Sequence, residues 1–132
     1  MANETQNRFS KEERLYLKKD LERLFASGQS FIAYPLRVVY RSEEATAERA
    51  PGVAILTGVP KRRMRRAVRR NRIKRLIRET FRIQKHSLSA HCILTGRRLH
   101  VALMFVGDAL PTYAAIEKAM RKALNLILQK TS

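Results

Sequence analysis

The apolar positions of this chain repeat at helical spacing in three segments, and between those segments they alternate or run together as in strands. A first helix is predicted after Arg14 by an apolar stripe made of Leu15, Leu17, Leu21, Leu24 and Phe25. Gly28 is expected to end it, as a residue that tolerates positive φ. A last helix is predicted after Pro111 and Thr112 by an almost perfect stripe of Ile116, Ala119, Met120, Ala123, Leu124, Ile127 and Leu128.

The middle helix is predicted to have an apolar back and a basic front. At about 100° per residue, one side carries Ile73, Leu76, Ile77, Thr80, Phe81 and Gln84. The opposite side carries Asn71, Arg75, Arg78 and Arg82, with Arg72 and Lys74 on its flanks. Three earlier residues fall outside this register: Met64, Ala67 and Val68. We therefore expect the helix to begin between Arg65 and Val68, after a basic loop formed by residues 61–65.

Three apolar segments predict β-strands. Residues 31–41 are rich in β-branched and aromatic side chains, which predicts strand structure, and Pro35 indicates a sheet edge or a strand start. Before the basic helix, the expected order is a strand followed by one or two more strands. A buried strand is predicted for 52–59 and another strand for 99–106, with polar stretches at 42–49 and 87–98. The strand, helix, strand order around the basic helix predicts a crossover unit in a small sheet covered by helices.

Composition indicates a single globular domain over residues 1–132, because 45% of the residues are hydrophobic and nothing interrupts the chain. No apolar run reaches the length of a membrane span, and the N-terminus has no apolar signal core. We therefore predict a cytoplasmic protein with no membrane partner. The single cysteine, Cys92, excludes an internal disulfide and fits a reducing compartment.

The positive charge is concentrated on the middle helix and the loop before it. Residues 61–85 hold thirteen of the 28 Lys and Arg residues and only one acid, Glu79, in a chain of net charge +17. Such a surface favours a polyanion, since arginine can bridge phosphate oxygens and lysine acts as a compact point charge. The side chain of Asn71 can both donate and accept hydrogen bonds, which suits a base edge, a 2′-hydroxyl or a metal-bound water. The residues predicted to bind this polyanion are Arg62, Arg63, Arg66, Arg69, Arg70, Asn71, Arg72, Lys74, Arg75 and Arg78.

For each single arginine the alternative is a solvated surface charge. The cluster as a whole is harder to explain in that way, because like charges four residues apart destabilise a free helix.

No group of residues predicts catalysis by the protein itself. A two-metal nuclease needs clustered carboxylates, whereas the candidate acids lie in a predicted loop or among arginines: Glu43, Glu44, Glu48 and Glu79. No usual zinc-ligand spacing is found among His86, His91, Cys92 and His100. We expect a small buried thiol and surface imidazoles, with no catalytic residue and no metal ligand.

A nine-residue string in the basic helix reads Arg70, Asn71, Arg72, Ile73, Lys74, Arg75, Leu76, Ile77 and Arg78. It resembles the signature of the protein subunit of bacterial ribonuclease P, which is Arg-Asn-Arg followed by x-Lys-Arg-x-[Ile/Leu]-Arg. The resemblance extends over nearly the whole chain. Further positions that match the family are Arg14, Leu15, Phe25, Gly28, Ala67, Val68, Glu79 and Phe81.

The resemblance implies an α+β fold, a two-layer α/β sandwich of order α-β-β-β-α-β-α with a left-handed crossover around the basic helix. It implies ribonuclease P RNA and precursor tRNA as partners, no required protein partner, and Mg²⁺ bound mainly by the RNA subunit and the substrate. In the family the RNA performs the hydrolysis. The protein assists endonucleolytic removal of the 5′ leader, which lies in a cleft between the sheet and the first helix.

The resemblance and the strand pattern together suggest four residues for that cleft: Phe25, Leu21, Arg37 and Val39. Phe25 could stack on a leader base, and an ordinary core position is the equally weighted alternative. In residues 36–41, alternation places Arg37, Val39 and Arg41 on one face and Leu36, Val38 and Tyr40 on the other. Which face lines the cleft stays open.

The chain departs from the family at two places. Leu21 stands where many relatives carry a second aromatic residue, so a base can pack there but not stack. Arg65 and Arg66 stand where relatives often have Gly-Asn, which adds positive charge and removes a flexible glycine.

Two other functions are considered. A general RNA-binding or ribosomal protein would bind leader-bearing precursor and mature tRNA alike. A DNA-binding protein would place the basic helix in the major groove, but the strand, helix, strand setting and the lack of dimerisation heptads disfavour it.

Overall fold

This computed structural model describes residues 18–131. The predicted residues Leu15 and Leu17 lie outside this range. Four helices and four strands follow in the order α1 (Lys18–Ser27), β1 (Gln29–Ala33), β2 (Leu36–Glu44), β3 (Gly52–Gly58), α2 (Ala67–Gln84), α3 (His86–Thr95), β4 (Arg97–Phe105) and α4 (Tyr113–Thr131). The predicted α+β class and element order are confirmed, with α3 as an additional helix directly after α2.

The four strands form one sheet in the order β1-β2-β4-β3. The segment 31–41 is divided between two strands, since β1 and β2 form an antiparallel hairpin that turns at Tyr34 and Pro35. Proline in the turn removes no hydrogen bond from the ladder. β2 pairs antiparallel with β4, and β3 pairs parallel with β4.

The parallel pair β3 and β4 is connected by α2 and α3, which is the predicted crossover. The sequence pattern predicted no helix or strand for the polar stretch at 87–98, whereas most of it is helix α3. This helix buries only Leu88 and Cys92 and ends at Gly96, whose φ of 64° is left-handed. Two buried positions four residues apart make a stripe too short to stand out in a sequence.

The main core lies between one face of the sheet and the three helices α2, α3 and α4. The predicted back of α2 is confirmed, as Ile73, Ile77 and Phe81 have no exposed surface and pack in this core. The α4 stripe is buried in the same cluster, which also contains the sheet residues Leu36 and Val38. Amphipathic packing therefore holds α2 with its apolar side toward the sheet.

Helix α1 packs on the opposite face of the sheet. Leu24 is fully buried there in a small cluster with Val39, Ala54 and Ala102. The end of α1 at Gly28 has a different cause from the predicted one, because Gly28 has no positive φ. A Cβ at this position would stand 2.3 Å from the carbonyl oxygen of Leu24 and 2.9 Å from that of Tyr40. Glycine allows the chain to leave α1 close against β2.

Candidate nucleic-acid interface

The basic front of α2 faces away from the core. Four predicted residues on it are exposed: Asn71, Arg72, Arg75 and Arg78. Arg69 is exposed as well, and Lys74 is half-buried. Within residues 18–131, Arg82 is the one cation of α2 that forms an ion pair, with Glu79 at 2.5 Å. The front therefore keeps most of its positive charge for an external partner.

The loop over residues 59–66 brings more cations to the N-terminal end of α2. Met64 is buried in the main core and anchors the loop, which explains why this apolar residue lies outside the α2 register. Arg63 forms an ion pair with Asp108, with an Nη1–Oδ1 distance of 3.0 Å. The remaining basic residues of the loop are exposed: Lys61, Arg62, Arg65 and Arg66.

Arg70 differs from its neighbours because its guanidinium group is used inside the protein. Its Nη1 donates hydrogen bonds to the carbonyl oxygens of Met64 at 3.0 Å and Arg65 at 2.6 Å. These bonds connect the first turn of α2 to the basic loop. A charged donor to two carbonyl oxygens is a strong local restraint.

Helix α1 covers only part of its face of the sheet and leaves the other half of that face open. Ile32, Arg37, Met104 and Gly58 lie side by side across the four strands. Ile32 is 54% exposed, and Arg37 is exposed beside it. The open face is thus the one that carries Arg37, Val39 and Arg41, and not the one that carries Val38.

The α1 side of this cleft carries two of the predicted residues. Phe25 is 52% exposed, so the alternative of an ordinary core residue is wrong. Leu21 is half-buried and packs against the cluster around Leu24. Val39 is 4% exposed and belongs to that cluster, which makes it a packing residue of the cleft floor.

A buried polar network fixes the position of α1 on the sheet. Arg49 donates to both carboxylate oxygens of Asp20, at 2.9 Å for Nη1–Oδ1. This hydrogen bond lowers the pKa of Asp20 below its ordinary value, although burial acts in the opposite sense. Glu43 lies 2.8 Å from His100 Nε2, and both lie on this side of the sheet. The ion pair between Asp20 of α1 and Arg49 of the loop after β2 thus fixes α1, which forms one wall of the cleft.

The same network corrects the expectation for His100, which is 2% exposed and not a surface residue. Burial would raise the pKa of Glu43, but hydrogen bonds from His100 and Arg41 outweigh it and lower that pKa. Cys92 is the predicted buried thiol, and burial raises its pKa to about 11. Among residues 18–131, no group of three or more His, Cys, Asp or Glu side chains is placed to hold a metal ion.

Comparisons with known proteins agree on one family. The family model described as Ribonuclease P matches residues 9–127. The "Ribonuclease P protein component" of Porphyromonas gingivalis is 45% identical over 117 residues, which cover 87% of this chain and 82% of that protein. This chain belongs to the ribonuclease P protein family.

More distant members of the ribonuclease P protein family agree with this assignment. The protein component of Chlorobium phaeobacteroides is 29% identical over 92% of this chain and 88% of its own. A solved structure of a Staphylococcus aureus RNase P protein mutant superposes with a TM-score of 0.69 at 23% identity, covering 89% of this chain and 90% of that one. The RNase P protein of Thermotoga maritima gives 0.66 at 19% identity, covering 86% and 96%. At these identities the two structures support the fold.

The Arg-Asn-Arg string of this ribonuclease P family member is divided between two directions. Arg70 turns back to the loop, whereas Asn71 and Arg72 are exposed on the front of α2. A periodicity argument could not show this, because the carbonyl acceptors belong to the loop before the helix.

Replacing Arg70 by Ala should lower the free energy of unfolding by about 1–3 kcal/mol, since two charge-assisted hydrogen bonds are lost. The matched control is Arg69→Ala, which removes the same charge from an exposed neighbour and should change stability by less than about 0.5 kcal/mol. Urea unfolding of the free protein measures both. Equal effects of the two substitutions would show that the bonds of Arg70 do not hold the loop.

Proposed function

We propose that this chain binds the RNA subunit of ribonuclease P through the front of α2 and the loop before it. In the same complex it holds the 5′ leader of precursor tRNA in the cleft between α1 and the sheet. It thereby assists endonucleolytic removal of the leader to give the mature tRNA 5′ end. The observation that carries the proposal is the exposed front of α2, where Arg72, Arg75 and Arg78 point away from an apolar back that packs in the core.

The energetic basis of RNA-subunit binding is electrostatic. Arginine side chains that neutralise phosphates release condensed counterions, and this release makes binding strong and dependent on salt. Phosphate contacts position the two molecules without reading sequence. The buried back of α2 holds these side chains in a fixed row, so that the row can match a particular path of phosphates.

Leader binding is supported by the chemistry of the open half of the sheet. Phe25 offers an aromatic ring that is half exposed, and Ile32 offers an apolar surface across the cleft. Arg37 lies beside Ile32. It supplies a cation for the sugar-phosphate backbone of the leader. An aromatic ring and a cationic groove are the features that single-stranded RNA requires, because every base has a face that can stack.

The hydrolysis is assigned to the RNA subunit, with Mg²⁺ held by RNA and substrate. Magnesium prefers several oxygen ligands, chiefly carboxylates and water. Five carboxylates of the described residues are instead paired with cations of the protein: Asp20, Glu43, Glu79, Asp108 and Glu117. These residues do not fit a magnesium site of the protein's own.

The proposed setting is the cytoplasm, where precursor tRNA is made. No helix among residues 18–131 is both long and apolar enough to cross a membrane.

Replacing Arg72 or Arg75 by Ala should weaken binding to the RNA subunit. Each change should also reduce the slope of log affinity against log salt by roughly 1, because one phosphate contact is lost. Filter binding over a salt series measures both quantities. The matched control is Arg121→Ala on α4, where the arginine is already paired with Glu117 at 3.1 Å. If Arg121→Ala flattens the salt dependence as much as Arg72→Ala, the front of α2 is not the contact surface.

Replacing Phe25 by Ala should reduce the affinity of the holoenzyme for leader-bearing precursor by about 1–3 kcal/mol, the usual value for losing one stacked base. Affinity for mature tRNA should stay unchanged. Leu94→Ala is the control, since Leu94 is 86% exposed on α3 and away from the cleft. An equal loss of affinity for precursor and mature tRNA would contradict the assignment of leader binding to this cleft.

A further inference from the structure

A second pocket opens at the hairpin end of the sheet. It has a volume of about 460 Å³ and lies between the turn of β1 and β2, the loop after β4 and the first turns of α4. Phe105 and Ala119, both buried, form its apolar floor. The volume is in the range of small-ligand sites, which is roughly 300–1,000 Å³.

The rim of this pocket combines an aromatic ring with two cations. Tyr34 is 69% exposed in the hairpin turn. Lys118 and Lys122 are exposed on α4 one turn apart, so both ammonium groups lie on the same side of that helix. In the described part of the chain, neither lysine forms an ion pair with a carboxylate. A flat aromatic ring, an apolar floor and two unneutralised cations are complementary to a nucleobase with its phosphates.

The pocket adjoins both surfaces that are proposed to bind RNA. Its wall includes Gly107 and Ala109, and the residue between them is Asp108, which Arg63 of the basic loop contacts at 3.0 Å. On the other side, Tyr34 follows Ile32 of the open cleft by two residues. A single-stranded RNA that leaves the cleft over Ile32 therefore reaches Tyr34 within about one further nucleotide, since two residues span at most roughly 7 Å.

We propose that this pocket takes an unpaired nucleotide of the precursor tRNA leader, beyond the stretch held in the cleft. Tyr34 stacks on the base, and Lys118 and Lys122 bind the adjoining phosphates. The inference rests on the proposed leader cleft and extends it around the hairpin turn. It makes Tyr34 and the two lysines determinants of affinity for long leaders.

The test is binding of three RNAs to the reconstituted holoenzyme: a precursor with a long leader, a precursor whose leader ends inside the cleft, and mature tRNA. The variants are Tyr34→Ala, Tyr34→Phe and the double substitution Lys118→Gln with Lys122→Gln. Tyr113→Ala is the control for the aromatic ring, because Tyr113 begins α4, is 40% exposed and does not line the pocket. Lys130→Gln is the control for charge at the far end of the same helix.

For the long leader, Tyr34→Ala should weaken binding about tenfold and Tyr34→Phe should bind like the unmodified protein. The double lysine variant should lower the salt slope by roughly 1.4, at about 0.7 for each phosphate of a single strand. The truncated leader and mature tRNA should show neither effect.

Unchanged binding of the long leader by Tyr34→Ala and by the double lysine variant would overturn the inference, and so would an equal loss for all three RNAs. The proposed function fails separately, if the unmodified holoenzyme does not prefer the truncated-leader precursor over mature tRNA.

Discussion

The arrangement of this protein depends on the burial of the apolar back of α2, which offsets the repulsion between the basic residues on its front. Basic residues one turn apart on its front repel one another and destabilise the isolated helix. The opposing contribution comes from the back, where Ile73, Ile77 and Phe81 are fully buried against the sheet. Burial of a large apolar side chain is worth about 1.5–3 kcal/mol, whereas each exposed like-charge pair costs only some tenths. Packing can therefore maintain a strongly cationic surface in the absence of RNA.

The connections of α2 concentrate the proposed RNA-binding surfaces at one end of the sheet. Because β3 leads into the basic loop and β4 leads into α4, both loops meet where β1 and β2 turn. The ion pair of Arg63 with Asp108 joins the two loops, and Met64 anchors the first of them in the core. Three features are consequently neighbours: the exposed cations of the basic loop, the open half of the cleft and the pocket beside Tyr34. One RNA partner at this end can contact all three.

The parts of the fold that could be predicted are those with long regular patterns. The two sides of α2 and the stripe of α4 follow from periodicity, and the strands follow from runs of β-branched residues. Helix α3 was not predicted because Leu88 and Cys92 are its only buried residues. The burial of Val39 and His100 could not be predicted either, because it depends on where α1 docks. The inward role of Arg70 depends on carbonyl groups of a loop, and a loop conformation leaves no periodic signal.

We propose that this protein assists an RNA enzyme and does not cut RNA itself. The most direct measurement is multiple-turnover cleavage of a precursor tRNA by ribonuclease P RNA at low magnesium, with and without the protein. We expect cleavage at the mature 5′ end that depends on both components, with none by the protein alone. An absence of stimulation with the cognate RNA, despite tight binding to unrelated RNAs, would contradict it and indicate a general RNA-binding protein.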